Sequence, residues 1–104
     1  MTTKHFTLTV TGKGGHGAIP AVTIDPIVAA SAVVRDLQIL AQRTGDALVS
    51  FTRMDTGTKF NVIPNDAIVA GQISYGSEQT LEKLKAGISH TAAAYRTTLD
   101  LCLE

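Results

Sequence analysis

Gly12-Lys13-Gly14-Gly15-His16-Gly17 follows directly on Phe6-Thr7-Leu8-Thr9-Val10-Thr11, and the reading of that glycine run decides the fold. Phe6, Leu8 and Val10 alternating with threonine have the period of a half-buried strand, predicted from about Lys4 to Thr11. Gly12, Gly14 and Gly17 then spell G-x-G-x-x-G, the dinucleotide fingerprint of a doubly wound parallel sheet. That fingerprint needs a helix to open inside the motif, so that its N-terminus meets a pyrophosphate. Here the helix start signal waits until Asp25-Pro26, where a carboxylate can cap free N–H groups and proline suits the first helical position. A chain of 104 residues is also too short for the doubly wound sheet. The glycines are therefore read as an irregular loop running to Pro20, free to bend tightly, with backbone amides as its only anion-binding capacity.

Working outward, the spacing predicts a helix from Pro26 to about Arg43. Its apolar face is Ile27, Ala30, Val34, Leu37 and Ala41, flanked by Val33 and Leu40, with Arg35, Asp36, Gln38 and Gln42 opposite. After the turn Thr44-Gly45-Asp46, a strand runs from Leu48 to Asp55, with Val49, Phe51 and Arg53 expected on one face and Leu48, Ser50, Thr52 and Met54 on the other. Pro64 marks a break before a third strand, Ala67 to Tyr75, in which Ile68, Ala70, Gln72 and Ser74 alternate with Val69, Gly71 and Ile73. Gly76-Ser77 caps a second helix, Glu78 to Tyr95, whose Leu81, Leu84, Ile88, Ala92 and Tyr95 recur at helical spacing. Leu99, Leu101 and Leu103 close the chain as a fourth strand. The order β-α-β-β-α-β predicts an α+β, ferredoxin-like sandwich, a four-stranded antiparallel sheet with two helices on one face, as a single domain over residues 1–104. Such a fold serves many functions and decides none.

Nine basic residues balance nine acidic ones, which argues against nucleic-acid and membrane partners, and the strands lack the paired aromatics that stack RNA bases. No apolar run is long enough to span a bilayer, and Met1-Thr2-Thr3-Lys4-His5 lacks a signal-peptide core; with the lone Cys102, this leads to an expectation of a cytoplasmic protein. No histidine or carboxylate pair has metal-ligand spacing, so no metal site is expected within the chain. His5, at the mouth of a strand, and His90, on a helix face, read as structural or solvated. His16 differs: framed by glycines, its imidazole has little steric cover and can be offered to another site as a hydrogen-bond donor to a developing oxyanion. Asn61 is open between a local turn role and substrate binding.

Gly12-Lys13-Gly14-Gly15-His16-Gly17-Ala18-Ile19-Pro20, then Asp25-Pro26-Ile27, then Phe60-Asn61-Val62-Ile63-Pro64 together resemble the dimerisation domain of the aminoacylase, hippurate hydrolase and carboxypeptidase family of two-metal peptidases, on its amidohydrolase branch. The resemblance covers nearly the whole chain. It implies a lid domain excised from a larger metallohydrolase of N-acyl amino acids or small peptides, the fragment alone being inactive. It assigns to His16 stabilisation of the tetrahedral intermediate in the partner subunit, to Asn61 contact with the substrate or with that same oxyanion, and to Gly15 and Gly17 contact with substrate. The two divalent metals, zinc or manganese, belong to the parent's catalytic domain, with no cofactor in this chain. Two positions depart from the branch pattern: Ala21 where a second histidine is common, and Ser74 near a common arginine; where that arginine binds a substrate carboxylate, the departure implies either a different substrate or a different anchor. A homodimer is expected through the edge strand 48–55 with helix 26–43 alongside. The competing reading, resting on the fold alone, is a free-standing regulatory domain that binds a small molecule.

Overall fold

The computed structural model describes residues 1–16, 23–57 and 62–104, with the backbone alone at His16. In chain order its elements are β1 (Thr2–Thr11), β2 (Gly15–His16), α1 (Pro26–Thr44), β3 (Ala47–Asp55), β4 (Val62–Ile63), β5 (Asp66–Tyr75), α2 (Glu78–Ala94) and β6 (Thr98–Leu103). The sheet runs β3-β5-β1-β6 with every pairing antiparallel, as the ferredoxin-like reading requires. β2 and β4 form a second, two-stranded ladder that periodicity did not predict.

Period-two alternation places the core. Phe6, Leu8 and Val10 of β1 and Ala67, Val69, Ile73 and Tyr75 of β5 are buried on one face beneath both helices, while Thr7, Gln72 and their neighbours line the other. α1 packs over β3 and β5, and α2 over β6 and β5. Asp25 caps α1, its Oδ1 accepting from the Ile27 N–H at 2.9 Å, and Gly45 ends the helix in the left-handed region at φ 65°. The buried stripe is Pro26, Ala29, Ala30, Val33, Leu37 and Ala41, rotated from the expected face: Pro26 itself enters the core, and Ile27, one step of roughly 100° further round, is left 37% exposed.

α2 begins at Ser77, whose Oγ accepts from the Thr80 N–H, and both hydroxyls donate to the Asp46 carboxylate, Thr80 at 2.6 Å and Ser77 at 3.4 Å. The turn after α1 is thereby stitched to the start of α2. Leu81, Leu84, Ile88 and Ala92 are buried as expected, but Tyr95 is exposed, because the helix ends there. Arg96 follows at φ 59°, and the Thr97 N–H and hydroxyl both donate to the Ala92 carbonyl at 3.1 and 2.7 Å, a Schellman-type stop with arginine where glycine is usual.

β3 departs from the expected two-faced pattern. Phe51 pairs with Gly71 but Arg53 pairs with Ala70, so Thr52 is an extra residue in a bulge. Directly opposite residues share a face; Arg53 therefore joins the open face with Asp55, and Met54 moves toward the helices. Gly71 accommodates it: the Ser50–Phe51 backbone presses over this residue so closely that a Cβ there would overlap the Ser50 carbonyl. Gly71 is also paired with Phe6, whose ring meets that of Phe51 edge-on at 6.0 Å.

Two stability changes follow. Leu84→Ala, at a site with no solvent exposure, should lower unfolding free energy by about 2–5 kcal/mol in a urea titration. Arg96→Gly should raise it by up to about 1 kcal/mol, because glycine removes the side-chain cost of the left-handed conformation.

Candidate functional site

β1 ends at Thr11 opposite Asp66, the first residue of β5, and the segments beyond this point continue side by side. The Gly12 N–H donates to the Asn65 carbonyl at 2.8 Å. Lys13 turns the other way, exchanging both backbone hydrogen bonds with Ile24 at 2.8 and 2.9 Å and closing the neck of the glycine loop. The Gly14 N–H returns to Asn65, donating to its Oδ1 at 3.0 Å. Gly15 and His16 then pair antiparallel with Ile63 and Val62 respectively. On the other side, the Thr56 hydroxyl donates to the Asp66 carbonyl at 3.0 Å and ties the neck of the segment between β3 and β5.

The glycines have a reason other than flexible bending. Neither Gly12 nor Gly14 lies in the left-handed region. At Gly12 a Cβ would overlap the Ile24 carbonyl, and at Gly14 it would lie 2.5 Å from the Ile63 oxygen and 2.8 Å from Pro64. Both are required for close backbone approach.

The expected site residues are thus distributed as follows. Gly15 and the His16 backbone stand on β2, at the end of the sheet where β1 runs out, and their register sets them against the Val62-Ile63 half of the second motif. Gly17 and Asn61, and Ala21 among the departures, lie outside the described residues. Ser74 is at the other end of β5, roughly 26 Å from Asp66 at about 3.3 Å per residue, where its hydroxyl shares a hydrogen bond with that of Thr3 at 2.8 Å; it does not belong to the paired loops. His5 and His90 are both exposed. Among the described residues no three His, Cys, Asp or Glu side chains are grouped to hold a metal ion. A recess beside the paired loops is lined by Asp55, Thr56, Gly57, Val62, Pro64, Asp66 and Ile68. Asn65 was missed from sequence: a turn asparagine ordinarily bonds its own neighbourhood, whereas this one accepts from a residue 51 positions away.

Residues 2–95 match the model of the peptidase dimerisation domain. The chain belongs to this family. Its curated relatives include IAA-amino acid hydrolase ILR1-like 2 of Arabidopsis thaliana, 41% identical over 104 positions covering 94% of this chain and 24% of that protein. N-acyl-L-amino acid amidohydrolase of Geobacillus stearothermophilus is 34% identical, covering 91% of this chain and 29% of that protein. This dimerisation domain spans about a quarter of the length of the curated relatives it matches. Among solved structures, a dinuclear metal-binding peptidase of the M20 family from Bacillus subtilis superposes with a TM-score of 0.71 at 27% identity, covering 98% of this chain and 25% of that one. A hydantoinase/carbamoylase family amidase from Burkholderia ambifaria, at TM-score 0.87 and 14% identity over 98% of this chain and 27% of that one, shares the fold.

Gly14→Ala tests the close approach. Amide exchange should accelerate at residues 12–16 and 62–65 while Leu8 and Ile73 keep wild-type protection; unchanged exchange across the loops would show that the backbones need not meet there.

Proposed function

We propose that this dimerisation domain is also the active-site lid of a metal-dependent amidohydrolase acting on N-acyl amino acids of the hippurate type or on small peptides, and that it supplies His16 in trans to the partner subunit. The observation that carries this reading is the β2–β4 pairing, which joins the histidine-bearing and asparagine-bearing motifs in one unit at one end of the sheet. The names of the relatives, hydrolases of amino-acid conjugates and acyl amino acids, support the substrate class.

Thr2 pairs with Tyr75 at the end of the sheet away from the paired loops, nine residue steps along β1 from Thr11, roughly 30 Å at about 3.3 Å per residue. The imidazole N–H of His16 would donate to the oxyanion that forms as the amide carbonyl becomes tetrahedral. Asn61, Gly15 and Gly17 would contact the substrate. The two divalent metals, zinc or manganese, and the general base belong to the catalytic domain, and no residue of this chain is assigned to them.

The homodimer would form through edge strand 48–55 with helix 26–43 beside it. β3 is an edge of the sheet, α1 packs against it, and these elements carry exposed apolar residues: Leu48 at 67%, Val28 at 51%, Met54 at 48% and Ile27 at 37%. The bulge at Thr52 confines regular self-pairing to Ala47–Phe51.

In the full-length enzyme His16→Ala should lower kcat about 100- to 1000-fold with the dimer intact, the loss that removal of one oxyanion donor produces; normal turnover would remove the catalytic role. Light scattering on the isolated chain should give a dimer, and Ser50→Pro a monomer with unchanged circular dichroism. The isolated chain should neither hydrolyse N-acyl amino acids nor be stabilised by them in a thermal shift; specific stabilisation would favour the regulatory reading.

A further inference from the structure

We infer that Asn65 is a positioning residue for His16, an inference that rests on the reading of His16 as a donor to the partner's active site. Asn65 holds the glycine loop at two points. Its backbone carbonyl accepts from Gly12 and its side-chain oxygen accepts from Gly14, at 2.8 and 3.0 Å. Between them, Lys13 is held from the opposite side by Ile24. Three consecutive backbone amides, those of residues 12, 13 and 14, are thus fixed in alternating directions, as in a strand, and His16 follows two residues later.

The side-chain bond has a definite polarity. A backbone N–H faces it, so the amide oxygen of Asn65 points to Gly14 and any residue at position 65 that performs this role must offer an acceptor. The Gly14 backbone lies so close to Ile63, Pro64 and Asn65 that a Cβ there would overlap all three, so the approach is made by backbone and by the Asn65 side chain alone. Without the acceptor, the Gly14 N–H loses its partner and the first rung beyond it, Gly15 against Ile63, loses its anchor. A donor imidazole two residues away then samples positions off the oxyanion, and displacement by about 1 Å is enough to cost a catalytic group up to about 100-fold in rate.

The test uses the full-length dimeric enzyme with Asn65→Ala, Asn65→Asp, His16→Ala and the double variant, together with amide exchange on the present chain. Asn65→Ala should lower kcat about tenfold with KM within about twofold, and should accelerate exchange at Gly14. Asn65→Asp, which keeps an acceptor, should recover most of the loss. In the His16→Ala background Asn65→Ala should have no further effect, because its action passes through the histidine. If His16→Ala is impaired but Asn65→Ala is neutral, or its loss persists undiminished in the double variant, the positioning role is overturned while the lid reading stands. If His16→Ala is itself neutral, the lid reading fails and the positioning role goes with it.

Discussion

The antiparallel ladder between β1 and β5 is the constraint from which the rest follows. It runs without a break from Thr2 opposite Tyr75 to Thr11 opposite Asp66. Its period of two sends Phe6, Leu8 and Val10 to the same face as Val69 and Ile73, so a slip by one residue would move the entire apolar set into solvent. Because burial forbids the slip, the register is also fixed at the end of the ladder. Gly12 must meet Asn65, and the glycine loop and the segment before β5 must leave the sheet as neighbours. The β2–β4 pairing is a continuation of that register by other means. Core packing and site geometry are consequently one problem: the hydrophobic alternation that builds the sheet also delivers the histidine-bearing loop to the segment that follows Asn61.

Much of this was legible in the sequence because it depends on local signals. The Asp25-Pro26 cap, Ser77, and the alternations in β1, β5 and β6 each act within a few residues, and the structure has them where the spacing predicts. The departures lie where contacts that periodicity does not carry decide. Gly71 is an ordinary strand residue in sequence, yet it admits the close approach of Ser50 beside the bulge that sends Arg53 to the open face. Tyr95 continues the helical period, but the helix has already ended in the Ala92–Thr97 stop. In the candidate site the motifs were visible, whereas their pairing was not: two residues against two carry too little periodicity to announce a strand. Glycines read as bending points turned out to be points of contact, a distinction that only the partner backbone can make.

The two edges of the sheet are built differently, and the difference bears on which one can accept a second copy. β6 is six residues long and carries Asp100, with Glu104 directly beyond it, so two copies meeting there would bring acidic side chains together. β3 is uncharged from Ala47 through Thr52 and exposes Leu48, which makes it open to pairing. An edge of this kind also risks indiscriminate extension. The bulge at Thr52 ends the regular stretch after Phe51, and the Arg53–Asp55 ion pair at 2.7 Å, though too exposed to add much stability, places charge where further pairing would continue. A strand that is open for five residues and then closed favours one register over many. For a domain proposed to deliver a histidine across a subunit boundary, that selectivity matters more than the strength of the contact, since a dimer in the wrong register would carry the paired loops to the wrong place.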